Sequence, residues 1–249
     1  MADSPWFAYH RPNDQAALRL FCLPHAGGGA GAYRTWVDGL APEIEVLPVQ
    51  PPGRETRFLE RPYQSIEPLL DELMAAIRPL LNKPFAFFGH SLGALIGFEL
   101  ARRLRQEDIV PQQLFVSGYG APHLPVKLPS MHHLDDADFA AALQDLDTVP
   151  TAVLQNEELF ALLLPMLRAD FAVYEQYQFD EAEPLNCPIT MLGGEADPLV
   201  PPENLAEWAV HSSSPGKMHL FSGDHFYLQG QETAVWQVIR QSCLAQQPS

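Results

Sequence analysis

Three residues in one order along the chain, Ser91, Asp197 and His225, are of the types that together make a nucleophile. A serine hydroxyl attacks a carbonyl only when a base takes its proton, and that base needs a carboxylate to orient it. Ser91 lies in Gly89-His90-Ser91-Leu92-Gly93, a G-x-S-x-G pattern. The short apolar run 84–88 before it reads as a buried strand, and the apolar spacing from Ala94 to Leu104 after it reads as a helix. A serine between such a strand and such a helix sits on a sharp turn that holds its hydroxyl at the top of a sheet, beside a helix N-terminus. A Gly-rich turn with a capping serine is the ordinary alternative, so partners must decide.

The partners come from the ends of two later strand-like runs. Residues 189–192 lead into Gly193-Gly194-Glu195-Ala196-Asp197-Pro198, whose glycines let the chain turn. Glu195 competes as the carboxylate, but Asp197 is preferred because Asp-Pro closes the loop just before the next helix. Helix capping is the alternative role for Asp197. His219-Leu220-Phe221 leads into Ser222-Gly223-Asp224-His225-Phe226, which puts His225 in the turn after the last strand. His219 is expected to point into the packing of the sheet, and Asp224 could cap the following turn. His225 alone follows Asp197 at a strand end, the chain order that a nucleophile elbow requires. The oxyanion formed on attack needs two backbone N–H donors. Leu92, directly after the serine, is expected to give one, and Ala26 in the turn Pro24-His25-Ala26-Gly27-Gly28-Gly29 the other. That turn lacks Gly-Lys-Ser/Thr and the spacing G-x-G-x-x-G, so it is not read as a phosphate loop.

The elements that must position these groups alternate. Strands are predicted at 18–23, 45–49, 84–88, 113–117, 187–192 and 217–221, and helices at 33–40, 66–81, 94–104, 204–209 and 233–245, after a loosely held lead-in over 1–15. Such alternation implies an α/β fold with a mostly parallel sheet and helices on both faces. Between about 119 and 184 the pattern changes. Prolines cluster, helices are predicted near 135–144 and 156–176, and no strand-like run intervenes. This stretch reads as a helical insertion between two sheet strands of a single domain spanning 1–249.

Composition narrows the function classes. The net charge of −16 opposes binding to nucleic acid and to anionic membranes. The most apolar stretch, 160–167, is too short to span a bilayer, and the N-terminus has no signal-peptide pattern, so a cytoplasmic protein is expected. Cys22, Cys187 and Cys243 are isolated and odd in number, and read as small buried hydrophobes. His132-His133 with Asp135 and Asp136 could suggest a metal, but Asp135 is the better candidate for a helix start, with Asp138 three residues on. His90 is expected to pack behind the elbow. Arg102, Arg103 and Arg105 end one helix, where cations are favoured.

Over nearly its whole length the chain resembles the type II, stand-alone thioesterases of polyketide and nonribosomal peptide synthesis, on the α/β-hydrolase fold. The resemblance rests on Phe21-Cys22-Leu23-Pro24-His25-Ala26-Gly27-Gly28, Pro52-Gly53-Arg54-Glu55, Gly89-His90-Ser91-Leu92-Gly93-Ala94, Leu164-Pro165-Met166-Leu167-Arg168-Ala169-Asp170-Phe171, Gly194-Glu195-Ala196-Asp197 and Gly223-Asp224-His225-Phe226. Asp224 stands where the family often has Gly, and Gly29 where Ser is frequent.

The resemblance implies hydrolysis of acyl or aminoacyl thioesters from the phosphopantetheine arm of acyl or peptidyl carrier domains, clearing aberrant or stalled units. It implies no cofactor and no metal, since the phosphopantetheine belongs to the partner, and the insertion becomes a lid over a channel for that arm. Medium-chain acyl release in fatty acid synthesis, or a small-molecule carboxylesterase on the same fold, are the alternatives among enzymes. Outside enzymes the alternative is a non-catalytic carrier-binding protein. A monomer is expected. Carrier domains are usually acidic, so a transient contact through Arg54, Arg57 or Arg61 is expected, with Arg57→Glu weakening turnover of carrier-bound substrate most.

Overall fold

The computed structural model describes residues 4–125, 130–146, 149 and 151–244. Parts of the expected lead-in (1–3), helical insertion (126–129, 147, 148 and 150) and last helix (245) lie outside the described residues. Six strands form one sheet: β1 (Leu18–Leu23), β2 (Ile44–Pro48), β3 (Phe85–His90), β4 (Gln113–Ser117), β5 (Ile189–Gly194) and β6 (Lys217–Phe221). Their order is β2-β1-β3-β4-β5-β6, and every pairing is parallel. Parallel neighbours need crossovers, and helices supply them, among them α1 (Arg34–Gly39), α2 (Ile66–Ile77), α3 (Leu92–Arg105) and α7 (Pro202–Ala206), while α8 (Leu228–Leu244) follows the last strand.

Side chains alternate across the strands, so each strand feeds two cores. Phe21, Phe87, Leu114 and Val116 pack with α2 and α3 on one face. Leu20, Cys22, Phe88 and Phe115 pack with Trp36 of α1 and Val235 and Ile239 of α8 on the other. This is the mostly parallel, doubly covered sheet expected from the alternation. Boundaries differ where local chemistry intervenes. Helix α2 stops at Ile77 because Pro79 follows, and 78–80 tightens into a 3-10 turn. The residues before the first predicted helix form a 3-10 turn at Ala30–Tyr33. Helix α8 starts earlier than expected but is broken at Gln229 and Gly230, and Gly230 has a φ of 94°.

Between β4 and β5 lie α4 (Asp136–Asp145), α5 (Thr151–Leu154) and α6 (Glu157–Gln176). Asp135 caps α4 through the N–H groups of Ala137 and Asp138, and Asn156 caps α6 through Leu159. Phe139, Leu143, Met166, Leu167 and Phe171 form a third, smaller core among these helices. The three cysteines are free and buried. Among the described residues no helix is long and apolar enough to cross a membrane.

Candidate active site

The chain runs from β1 to β2 on one side and returns to β3 on the other, so loops diverge at the carboxyl ends of β1 and β3. Open parallel sheets leave a crevice at such a point. Ser91 follows β3 there with φ 53° and ψ −122°, backbone that costs a non-glycine residue about 1–3 kcal/mol. Its neighbours explain how the turn is held. A Cβ on Gly89 would lie 2.1 Å from the Gly93 carbonyl oxygen, and one on Gly93 would lie 2.1 Å from that of Leu23. Strand, elbow and helix therefore touch main chain to main chain. The Ser91 N–H donates to the Ser117 carbonyl at 2.7 Å, tying the elbow to β4.

Asp197 and His225 are brought together from the ends of β5 and β6. A Cβ on Gly194 would lie 2.1 Å from the Asp224 carbonyl oxygen, so only glycine lets the 223–225 loop pass so close. His225 Nδ1 then meets Asp197 Oδ2 at 2.8 Å, with both residues buried. The other Asp197 oxygen accepts from the N–H groups of Leu199 and Val200 at 2.8 and 3.1 Å. A neutral imidazole that donates from Nδ1 carries its lone pair on Nε2, the atom a base needs. Glu195, the competing carboxylate, is exposed and accepts from Ser222 Oγ instead. Asp224 caps the turn through the Phe226 N–H.

Behind the elbow His90 is buried, its Nδ1 2.9 Å from Ser117 Oγ, which lies 2.6 Å from the Tyr227 hydroxyl. Burial, then the neighbouring His225, push the His90 pKa well below its usual value, so the ring is neutral. His25 also sits against this group, edge-on to His90 and to Phe226. Burial and then His225 lower its pKa to about 4.

Ser91, Leu92, Ala26, His25 and His225 line one end of a cavity of about 370 Å³. The remaining wall is largely apolar and aromatic, with Phe171, Tyr174 and Tyr177 from α6 and its end, Phe179, and Tyr119 after β4. His123 and Asn204 are polar exceptions. The arrangement can present an activated hydroxyl to a carbonyl whose substituent lies in the apolar cavity, with Leu92 and Ala26 on the same wall.

Two expectations are corrected. Arg54 and Arg57 are buried, not docking cations. Arg54 pairs with Asp170, and Arg57 reaches Glu60 and the Gln50 carbonyl and lies over the Trp6 ring. Of the three, only Arg61 is exposed. His219 is half-buried, because β6 is the edge strand of the sheet. His132 and His133 gather with Glu175, which sequence spacing did not suggest, and not with Asp135 and Asp136. The Glu175 carboxylate already accepts from Ser130 Oγ and from the N–H groups of Met131 and His132, which makes it a clasp for that loop. Asp170 was also missed as a site residue. Its signal was an acid placed between Leu167 and Phe171 on the apolar side of a helix.

A family model described as the thioesterase domain matches residues 18–243. Linear gramicidin dehydrogenase LgrE of Brevibacillus parabrevis is 44% identical over 243 residues, covering 96% of this chain and 92% of that protein. Gramicidin S biosynthesis protein GrsT of Aneurinibacillus migulanus is 45% identical over 224 residues, covering 90% and 88%. The structure of the type II thioesterase BorB from the borrelidin biosynthetic cluster superposes with a TM-score of 0.88 at 37% identity, covering 98% of this chain and 99% of that one.

Proposed function

The chain belongs to the thioesterase family, on the α/β-hydrolase fold, and from that premise we propose that it hydrolyses acyl or aminoacyl thioesters carried on the phosphopantetheine arm of carrier proteins. The setting is a nonribosomal peptide or polyketide assembly line, and the task is removal of aberrant or stalled units. The observation that carries the reading is the buried His225–Asp197 bond at 2.8 Å, at the end of the cavity where Ser91 stands on its elbow.

His225 Nε2 takes the Ser91 proton while Asp197 holds the ring. Ser91 Oγ attacks the thioester carbonyl, and the N–H groups of Leu92 and Ala26 receive the oxyanion, each worth about 3–4 kcal/mol by analogy with single donors elsewhere. The arm leaves as its thiol with the proton from His225. Water, deprotonated by His225, then releases the acid and restores Ser91. The chemistry needs no cofactor of the protein's own. The helices between β4 and β5 act as a lid, because Phe171 and Tyr174 of α6 wall the cavity.

One relative is named a dehydrogenase, but hydride transfer does not suit the present loop after β1. There Glu55 accepts the Gly31 N–H, and its carboxylate fills the space beside Gly29. A carboxylate held against this loop would repel the pyrophosphate of a dinucleotide placed on it.

The test is release of acetyl and short acyl groups from a loaded carrier protein, beside a simple free ester, with wild type and Ser91→Ala. Faster turnover on the carrier, lost in Ser91→Ala, is expected. Turnover of the free ester alone would favour a carboxylesterase, and turnover of neither would leave a carrier-binding role.

A further inference from the structure

The loop that carries Ala26 is glycine-rich, so something must fix the direction of its N–H groups. The peptide unit before Ala26 is set by its own carbonyl, since His25 O accepts the Gly28 N–H at 2.9 Å. In a trans peptide the N–H points opposite the carbonyl, so the Ala26 N–H is turned away from that bond. Among the described residues it has no acceptor. The peptide unit after Ala26 is set from outside the loop. The Gly27 N–H donates to Asp170 Oδ2 of α6 at 2.7 Å, and Gly27 takes a φ of 79°. Asp170 is in turn held by Arg54, with Nη1 2.6 Å from Oδ2 and Nη2 2.7 Å from Oδ1. The same guanidinium reaches back to the loop, donating to the Gly28 carbonyl at 2.9 Å.

We propose that Arg54 and Asp170 are positioning residues for the oxyanion site: as a buried bidentate pair they clamp the Gly27 N–H and the Gly28 carbonyl, and so hold the Ala26 N–H towards the oxyanion. The proposal rests on the assignment of Ser91 and Ala26 given above. Stability alone does not account for the pair, because a buried ion pair is often no more stabilising than apolar residues of similar volume. Of its remaining contacts, Arg54 Nε donates to the Pro52 carbonyl at 3.3 Å and the other two fall on the loop, at the Gly27 N–H and the Gly28 carbonyl, and such charge-assisted bonds are the stronger, more directional kind. The pair also makes the helical lid a part of the oxyanion site, because one carboxylate of α6 serves both.

The test compares Ser91→Ala, Asp170→Asn and the double variant Arg54→Met/Asp170→Ala, which removes both charges and leaves no buried charge unpaired. Four quantities are read: kcat and KM with the thioester substrate, affinity for an alkyl boronic acid that becomes tetrahedral on Ser91, and affinity for the matching thioether, which cannot be attacked. The double variant is expected to lose roughly 10²-fold in kcat and in boronate affinity, with KM and thioether affinity within about threefold of wild type. Asp170→Asn keeps an oxygen for the Gly27 N–H and is expected to recover about tenfold of that kcat loss. A folded double variant with wild-type kcat and boronate affinity would overturn the proposal, as would equal losses of boronate and thioether affinity, the mark of a merely structural pair. Should the double variant not fold, Asp170→Asn decides alone: a selective loss of boronate affinity supports the clamp and a wild-type value overturns it. Activity surviving in Ser91→Ala would instead defeat the assignment of the nucleophile.

Discussion

At Gly89, Gly93 and Gly194 main chain rests on main chain, whereas the helices between β4 and β5 are joined to the loops over the sheet through side chains such as Asp170. The difference sets how each region yields. A carbonyl oxygen 2.1 Å from a would-be Cβ has no rotamer to change, so the elbow and the His225 loop exist in one arrangement or not at all. The helical cover holds itself together with its own small core, with Arg168 bonded to Asp136 and stacked on Phe139, and with Glu175 clasping 130–132. Its ties to the sheet side run through side chains, Asp170 to Arg54 and Val173 in the core with α2 and α3, and side chains can change rotamer where main chain cannot. The elbow provides chemistry by rigidity, and the cover provides fit.

The sharpest way to break this comparison is at Ser91. Ser91→Ala should lower kcat by roughly 10⁴-fold or more, as removal of one member of a triad does elsewhere. Ser91→Gly should be equally inactive yet more stable than wild type, because glycine accepts a φ of 53° without strain. A melting temperature that falls in Ser91→Gly would show that the elbow is not strained. Gly93→Ala should be severely damaging, because the atoms its methyl group would meet are main chain of Leu23 and Pro24 and cannot change rotamer. Loss of soluble, folded protein is expected, and a well-folded, active Gly93→Ala would end the argument from rigidity.

In the cover, a deeper deletion should do less to the whole. Phe139→Ala removes a fully buried ring from the third core, a change that typically costs about 3–5 kcal/mol. The expected reading is faster amide exchange over 136–145 and 157–168 with unchanged protection in β1, β3 and β4. Uniform loss of protection over sheet and cover would show one cooperative unit and remove the distinction.

How much of this was legible in the sequence follows the same division. Strands β1 and β4 fall where period and punctuation place them, since a buried parallel strand is a short apolar run and little else, and β6 falls at its expected bounds as well. Ser91, Asp197 and His225 were legible because each stands at a strand end beside glycines that a sharp turn demands. The Arg54 and Asp170 pair was not, for its partners are 116 residues apart and a cation in a loop looks the same whether it faces solvent or a buried acid. Glu175 was hidden likewise, as its partners lie more than 40 residues away and include backbone N–H groups, which leave no mark in a sequence. The exposure of β6 was missed because an edge strand and an interior strand can carry similar residues.

The smallest effect concerns acid. His25 and His90 pack beside Ser91 and His225 and are neutral when folded, with His25 lowered to about 4 and His90 well below its usual 6.5. The cover's matching group is Glu175, whose pKa is lowered from 4.5: against the cost of burial, His132 and the Met131 and His132 N–H groups favour its charged form. The signs give two windows. Between about pH 6.5 and 4 the unfolded chain binds protons at His25 that the folded chain refuses, so stability falls as pH falls, by up to about 1.4 kcal/mol per pH unit for each such histidine. The Glu175 contribution is intact above 4.5 and is lost only as pH drops through its lower folded value. Urea midpoints measured from pH 7 to 5 should therefore decline less steeply in His25→Gln than in wild type, while Glu175→Gln should leave the slope in that range unchanged. Parallel slopes for His25→Gln and wild type would mean that the His25 ring gains its proton as readily in the fold as outside it. His90 alone would then make the elbow end more sensitive to mild acid than the cover.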